Sequence, residues 1–565
     1  MVSSGHYLAS AAAARILERG GNATDAGVAA GLCLNVVQPD LTNLGGVAPI
    51  CVFQAGTRLV STISGLGTWP ESVNVEFFRR EHGGRIPAGI HRTVVPAAIG
   101  AWLVALEEFG SLSFAEVVEP AIELATYGFA VSAVMSDSLC VPEDLVNVRS
   151  WPGNASLFLD ADGNPPEEGS LFEQPDLGRL LERLVDAERN SNSRVSGIRA
   201  VYDEFYRGAI AEEIVDFVVR SGGWLSFGDM ANFRPAVEPA ISTSYRGYQV
   251  YSCGAWCQGP VVLETLNILE GFDIAALNPR GVEYYHLVIE ALKLAFSDRE
   301  AYFGDPDFVT VPLDGLLSKE YAHNRRSEIS ESRAIPFMPL AGNPWKFSAE
   351  SLYKEAGAAA ASLSAQTGRV EPDTSYVCVV DSDGNAFSAT PSDPATISPV
   401  VEGLGICVSG RGMQSWTDPR HPSSIEPGKR PRLTPSPGLV VSSGEFVMPY
   451  GTPGLDVQPQ AMVQFLLGVL DFEFDIQESI ESPRAASYSF PLSSDPHPYE
   501  PGKLRIESRV GNEVVEGLRS LGHDVEPWPE WTGVAGSVSA VLRNQVTGRV
   551  RGGADPRRVA YATGW

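Results

Sequence analysis

The sequence predicts an α+β protein of stacked layers with helices outside its sheets, and three observations carry that prediction. The first 300 residues read chiefly as helices closed by glycine stops. Period-two strand patterns take over from residue 374. A chain of 565 residues is also long enough for several domains or for one large sandwich core with insertions. Hydrophobic content of 44% and charged content of 20% are those of globular proteins. No run approaches the length of a membrane span.

Residues 8–37 alternate Ala-rich helix with a Gly20-Gly21 stop and a restart capped near Asn22 or Thr24, which makes a helix pair. A glycine-containing turn then leads into a strand over 49–53. Helical patterns over 98–109 and 114–127 break at Gly110 and Gly128. Over 284–303 the apolar positions Leu287, Leu292, Leu294, Ala295 and Phe296 suit a long, mostly buried helix. Residues 341–370, rich in Ala, Ser and Gly with little patterned hydrophobicity, read as an exposed, mobile loop. Directly after it a strand over 374–380, the turn Asp381-Ser382-Asp383-Gly384-Asn385 and a strand over 386–390 make a hairpin signal. Strands over 438–441, 445–448, 503–507, 537–543 and 549–553 follow, with helices over 460–470 and 510–521. There is no fixed-period repeat, so a solenoid is excluded.

A formal net charge of −27 repels phosphate backbones and anionic membranes, which argues against nucleic acid and membrane as partners. Seven scattered cysteines do not form a disulfide framework. The nearest pair, Cys253 and Cys257, has the spacing of neither a zinc clip nor a redox motif and is expected to be buried thiol, so no metal is expected. Residues 1–6 show no basic segment followed by an apolar one, and the expected location is cytoplasmic.

The chemistry centres on Pro372-Asp373-Thr374-Ser375-Tyr376, where the loop meets the hairpin. A threonine at the head of a strand is by itself what β-propensity gives. A flexible linker ending there, however, allows the chain to be cut before Thr374. Cutting frees an α-amine with a pKa of about 8, and that amine can take the hydroxyl proton of a weak nucleophile directly or through water.

Ordered matches then extend along nearly the whole chain. They are Gly20-Gly21-Asn22-Ala23-Thr24-Asp25-Ala26; Lys293-Leu294-Ala295-Phe296-Ser297-Asp298-Arg299; Gly304-Asp305-Pro306-Asp307-Phe308; Leu316-Leu317-Ser318-Lys319-Glu320-Tyr321; Val379-Val380-Asp381 with Asp383-Gly384-Asn385-Ala386; Gly428-Lys429-Arg430-Pro431; Gly451-Thr452-Pro453-Gly454; and Ala554-Asp555-Pro556-Arg557-Arg558. In these the chain resembles the γ-glutamyltranspeptidases and their acylase relatives among the N-terminal-nucleophile hydrolases. The resemblance implies a four-layer αββα sandwich and self-cleavage between Asp373 and Thr374. It also implies a large subunit of residues 1–373 and a small subunit of residues 374–565 from one precursor, open to further dimerisation, and no cofactor. Thr374 takes the nucleophile's place, seven residues before Asp381. Ser392 takes the place of the threonine that supports it, with a plain turn serine in Pro391-Ser392-Asp393-Pro394 as the other reading. Gly454 and the amide of Leu455 take the place of the oxyanion hole, where fixed N–H donors contribute on the order of 3 kcal/mol.

The departures fall on the substrate side. The arginine that grips a glutamyl α-carboxylate falls at Val75, with Arg79 or Arg80 as substitutes if the register slips. The acid that holds the α-amine becomes Gln414, its assisting asparagine becomes Pro394, paired serines become Leu433 and Thr434, and the second oxyanion glycine becomes Leu455. Without both charged grips nothing selects a free amino-acid head group. Arg411 and Arg432 are placed to line the pocket, where either could clamp a carboxylate, a surface salt bridge being the other reading. His421 is expected to be loop scaffold, and the Gly45-Gly46 and Gly65-Leu66-Gly67 clusters lack the frame of a nucleotide loop. The expected activity is hydrolysis of a small amide through a threonyl acyl-enzyme, with Gln414 and Thr434 at the substrate. γ-Glutamyl transfer or glutathione hydrolysis, and a non-catalytic binding module on the same fold, are the alternatives.

Overall fold

The computed structural model describes residues 1–348 and 374–565. Asp373 and most of the loop expected over 341–370 lie outside them. The described start of that loop is not exposed chain throughout, because Pro344–Phe347 forms a 3-10 turn with Pro344 and Trp345 buried.

Two antiparallel sheets face each other. The first has seven strands, in the order Tyr561–Thr563, Val2–Ser4, Val377–Val380, Ala386–Ala389, Ile50–Gln54, Leu59–Ile63 and Val237–Pro239. The second has six, in the order Val550–Ala554, Ser539–Asn544, Phe446–Gly451, Gly438–Val441, Tyr248–Ser252 and Ile241–Tyr245. Strand Val377–Val380 shows why they stack. Val377 and Val379 point into a core shared with the N-terminal helices, while Cys378 and Val380 point between the sheets, against Leu439, Val447 and Val541. Alternation puts successive side chains into two different cores, so the strand reads as one apolar run rather than an alternating one. On the far side the second sheet packs on helices Gly259–Leu269, Val282–Tyr302 and Gln458–Leu470. The layers are therefore helix, sheet, sheet, helix, and the expected α+β sandwich is observed.

The helix pair is Tyr7–Glu18 and Ala23–Val37, the second capped by Asn22 with Asp25 closing the capping box. Helices Ala98–Phe109 and Phe114–Tyr127 fall where the glycine stops place them. The hairpin turn is held by Asp381, whose Oδ1 accepts from the Asp383 and Asn385 amides at 3.0 and 2.9 Å. Its Oδ2 accepts from Ala23 N at 3.0 Å, so the turn is bolted to the start of the second helix. Other sequence matches meet in the same way. Arg430 bonds Asp305 at 2.7 Å, and Tyr321 bonds Asp298 at 2.7 Å. Among the described residues no helix is long and apolar enough to cross a membrane.

Candidate active site

Thr374 does not open the strand, as the sequence pattern suggested. Strand pairing begins at Val377, and Thr374 sits before it, fully buried, with φ 87°. A β-branched residue at positive φ is strained by about 1–3 kcal/mol and persists only where its surroundings impose it. Its N–H donates to Leu41 O at 3.1 Å, and its carbonyl accepts from Arg558 Nη1 at 3.4 Å.

The side chain meets Ser392, with Thr374 Oγ1 2.7 Å from Ser392 Oγ. Ser392 is delivered by backbone bonds to Val47 in both directions, at 2.9 and 3.2 Å. That approach needs the glycine pair before Val47. A Cβ on Gly46 would stand 2.4 Å from Ser392 O, and one on Gly45 would stand 2.1 Å from Cys407 O. The Gly45-Gly46 cluster is thus a packing requirement of this strand crossing. Arg411, fully buried, donates from Nη2 to Ser392 Oγ and lies 3.7 Å from Asp393. A guanidinium on the serine oxygen leaves the serine proton available to Thr374 Oγ1.

The remaining sequence candidates fall around this pair. Gly454 and Leu455 both hold positive φ, 123° and 50°, and neither backbone N–H has an acceptor among the described residues. Leu455 lines a cleft of about 210 Å³ with Pro394, Met413, Ile397, Arg92 and Ser494. Gln414 is held by Thr434, donating to its Oγ1 at 2.8 Å and accepting from its N–H at 3.1 Å, and it also donates to Ser494 Oγ at 3.4 Å. Arg432 is not a surface residue. It is buried, bonds Glu300 at 2.7 Å and lies 4.6 Å above the Trp416 ring. Burial lowers its pKa to about 10, against the opposing pull of Glu300. Its charge is spent inside the wall of the site. His421 stacks on Trp416 at 3.8 Å, and burial lowers its pKa to about 4, so it stands as a neutral prop.

Several groups near the site carried no signal along the chain. From the N-terminal half Arg92 reaches the cleft, whereas Arg79 is tied to Thr417 O at 3.1 Å and Arg80 is exposed beside Glu76. Asp40 is buried just before Leu41, and neither of its carboxylate oxygens has a hydrogen-bond partner among the described residues. Burial pushes its carboxyl up to about 6, against the pull of Arg558. Between about pH 4 and pH 6 the native state then holds a proton that the unfolded chain has released, so stability falls as pH rises through that window. Asp40→Asn is expected to raise stability at pH 7 by up to about 3 kcal/mol and to change it little at pH 4, read by urea unfolding at both values.

His286, Glu290 and His523 lie close enough for a metal, a grouping that their separation in sequence conceals. Protein groups already occupy them: His286 Nδ1 bonds His523 Nε2 at 2.8 Å, and Glu290 takes Lys293 at 2.6 Å and Ile335 N at 2.9 Å. Cys253 and Cys257 are buried thiols, with Cys253 Sγ 3.9 Å from Cys51 Sγ.

Known proteins with this arrangement are recognisable over the full length of the chain. Along its whole length the chain is 33% identical to a glutathione hydrolase-like YwrD proenzyme of Bacillus subtilis (strain 168), covering 98% of that protein. To an acylase ACY 1 proenzyme of Pseudomonas sp. (strain V22) it is 32% identical, covering 100% of this chain and 94% of that one. The crystal structure of a cephalosporin acylase from Bacillus halodurans superposes with a TM-score of 0.84 at 27% identity, covering all of this chain and 95% of that one. The gamma-glutamyltranspeptidase family model matches residues 9–565, and the chain belongs to that family.

Proposed function

We propose that this chain is a self-processing amidohydrolase in which cleavage between Asp373 and Thr374 yields subunits 1–373 and 374–565 and exposes Thr374 as the nucleophile. The observation that carries the reading is the buried 2.7 Å contact between Thr374 Oγ1 and Ser392 Oγ, with Arg411 donating to the serine oxygen. The freed amine takes the Thr374 proton, and Oγ1 attacks the amide carbonyl. Ser392, polarised by Arg411, donates to Oγ1, and the Gly454 and Leu455 N–H groups receive the developing oxyanion. Expulsion of the amine leaves an acyl-enzyme, which water hydrolyses. Its similarity to an acylase proenzyme and to a glutathione hydrolase-like proenzyme supports this class of reaction. A cytoplasmic location belongs to the same proposal.

Substrate preference follows from the cleft. Gln414 is neutral and engaged by Thr434, and Pro394 has no side-chain acceptor, while the two carboxylates that line the cleft, Asp456 and Asp495, are paired with Arg299 and Arg85, so no unpaired anion is set there for a free α-amine. Arg92, which lines the cleft, favours an acyl group that carries its own carboxylate, such as a dicarboxylic monoamide. The self-cleaved protein is expected to hydrolyse such monoamides with kcat/KM at least about tenfold above that for a γ-glutamyl anilide, about 1.4 kcal/mol of discrimination. Efficient release from the anilide would reverse the assignment in favour of γ-glutamyl transfer.

A further inference from the structure

The turn at Gly454 and Leu455 is strained. Leu455 at φ 50° carries the left-handed penalty of an L side chain, about 1–2 kcal/mol. It directly follows Gly454 at 123°. Such a pair holds its shape only where neighbours fix it. The fixing group is Gln258, which is fully buried just ahead of helix Gly259–Leu269.

Gln258 Nε2 donates to Leu455 O at 2.7 Å and to Thr434 O at 2.9 Å, so both of its protons are used on walls of the site. Its Oε1 accepts from Arg299 Nη1 at 2.9 Å, which sets which end of the amide faces the turn. Its own N–H donates to Leu433 O at 3.0 Å and holds the backbone in place. Arg299 also bonds Asp456, next to Leu455, and Pro491 O at 3.0 Å. Asp456 in turn accepts from Ser493 N and Oγ at 2.9 and 2.7 Å. The carbonyl side of the turn is thus saturated with donors, while its N–H side is left without acceptors among the described residues. The Leu455 carbonyl belongs to the Leu455–Asp456 peptide, so gripping it fixes the backbone on one side of Leu455; on the other side the Gly454 carbonyl accepts from Val457 N at 2.8 Å, which fixes the peptide that carries the Leu455 N–H.

We propose that Gln258 is a positioning residue for the reaction: by gripping the Leu455 carbonyl it holds Leu455 in its left-handed conformation and so keeps the N–H of the adjoining peptide, that of Leu455, aimed at the oxygen of the bound amide. This rests on the reading of that turn as the oxyanion site. Gln258 carries no titratable proton, so it acts on the magnitude of catalysis and leaves its pH profile alone.

The test compares self-cleaved wild type with Gln258→Ala, the near-isosteric Gln258→Glu, Leu455→Gly, and Gln258→Ala combined with Leu455→Gly. Each is assayed on the best monoamide substrate and followed for self-cleavage rate. Losing the aim of an oxyanion donor costs about 10- to 1,000-fold in kcat. Gln258→Ala and Gln258→Glu are expected to lower kcat by at least tenfold with KM within twofold, and in Gln258→Ala the apparent pKa values of the rate profile stay unmoved. Leu455→Gly relaxes the turn, so in that background Gln258→Ala is expected to cost at least fivefold less or more than in wild type, a coupling that independent sites do not show. Gln258→Glu protein that folds, self-cleaves and turns over at wild-type kcat overturns the proposal, and so does strict additivity with Leu455→Gly. Wild-type protein that yields no fragment beginning at Thr374, or turns over no amide, sinks the underlying reading instead, before any Gln258 variant is made.

Discussion

Replacing Thr374 by alanine is expected to leave the chain as one uncleaved polypeptide and to lower amide turnover by at least about 10³-fold. Mass spectrometry after long incubation reads the first effect. Wild type gives fragments 1–373 and 374–565, whereas the variant gives the intact mass alone. Both effects follow from one atom. On the proposed mechanism Oγ1 attacks its own preceding carbonyl during maturation and the substrate afterwards. The positive φ of Thr374 adds strain at the bond to be cut, and cleavage releases it, because a chain terminus has no φ to hold. Wild-type chain that stays intact under the same conditions would instead place this protein among non-catalytic members of the fold.

The second large effect is on stability. Arg299 is fully buried and joins Glu300, Asp456 and Gln258. Burial works against ionisation of Glu300, yet Arg432 and Arg299 outweigh it and hold the carboxyl well below its usual range. Arg299→Met removes a cation and leaves two buried carboxylates short of partners, which is expected to cost about 3–5 kcal/mol. Measured on the uncleaved Thr374→Ala background, unfolding involves a single chain and the urea midpoint reads the loss directly. A depressed carboxylate contributes stability above its unfolded pKa and loses it as pH falls toward the folded value. The penalty is therefore expected to be full at pH 7 and to shrink below about pH 4, as Glu300 takes up a proton in the variant. A penalty equally large at pH 3.5 would show that packing, not charge, is what Arg299 supplies.

Much of the frame was legible because each signal is local. Glycine stops and an asparagine cap bound the helices, and the Asp-Ser-Asp-Gly-Asn turn marks the hairpin. Thr374 was legible through its place before Asp381. What the sequence hid depends on separation along the chain. Strand Val2–Ser4 is three residues long and has no pattern of its own, yet it sits inside the seven-stranded sheet. Arg92 reaches the cleft and Asp40 lies beside Thr374 through loops whose paths no periodicity encodes. Arg432 was misplaced for a different reason. A basic residue in a pocket-lining segment looks the same along the chain whether it faces the substrate or a buried acid, and Glu300 decides which. Gln258 escaped notice because a lone glutamine signals nothing until both ends of its amide are seen engaged.

Both sheets are woven from the two sides of residue 374. In the seven-stranded sheet, strands Val377–Val380 and Ala386–Ala389 lie between Val2–Ser4 and Ile50–Gln54. In the six-stranded sheet, Gly438–Val441 pairs with Tyr248–Ser252. A cut before Thr374 therefore severs the covalent thread without creating two bodies, and neither of the two large sheets belongs to one piece alone. Folding happens once, as a unimolecular event in the uncut chain. After the cut, recovery from denaturation becomes an encounter between two strangers and depends on their concentration. The mature protein carries a history, since the path that built it closes behind it, and its persistence thereafter is a matter of how slowly it comes apart.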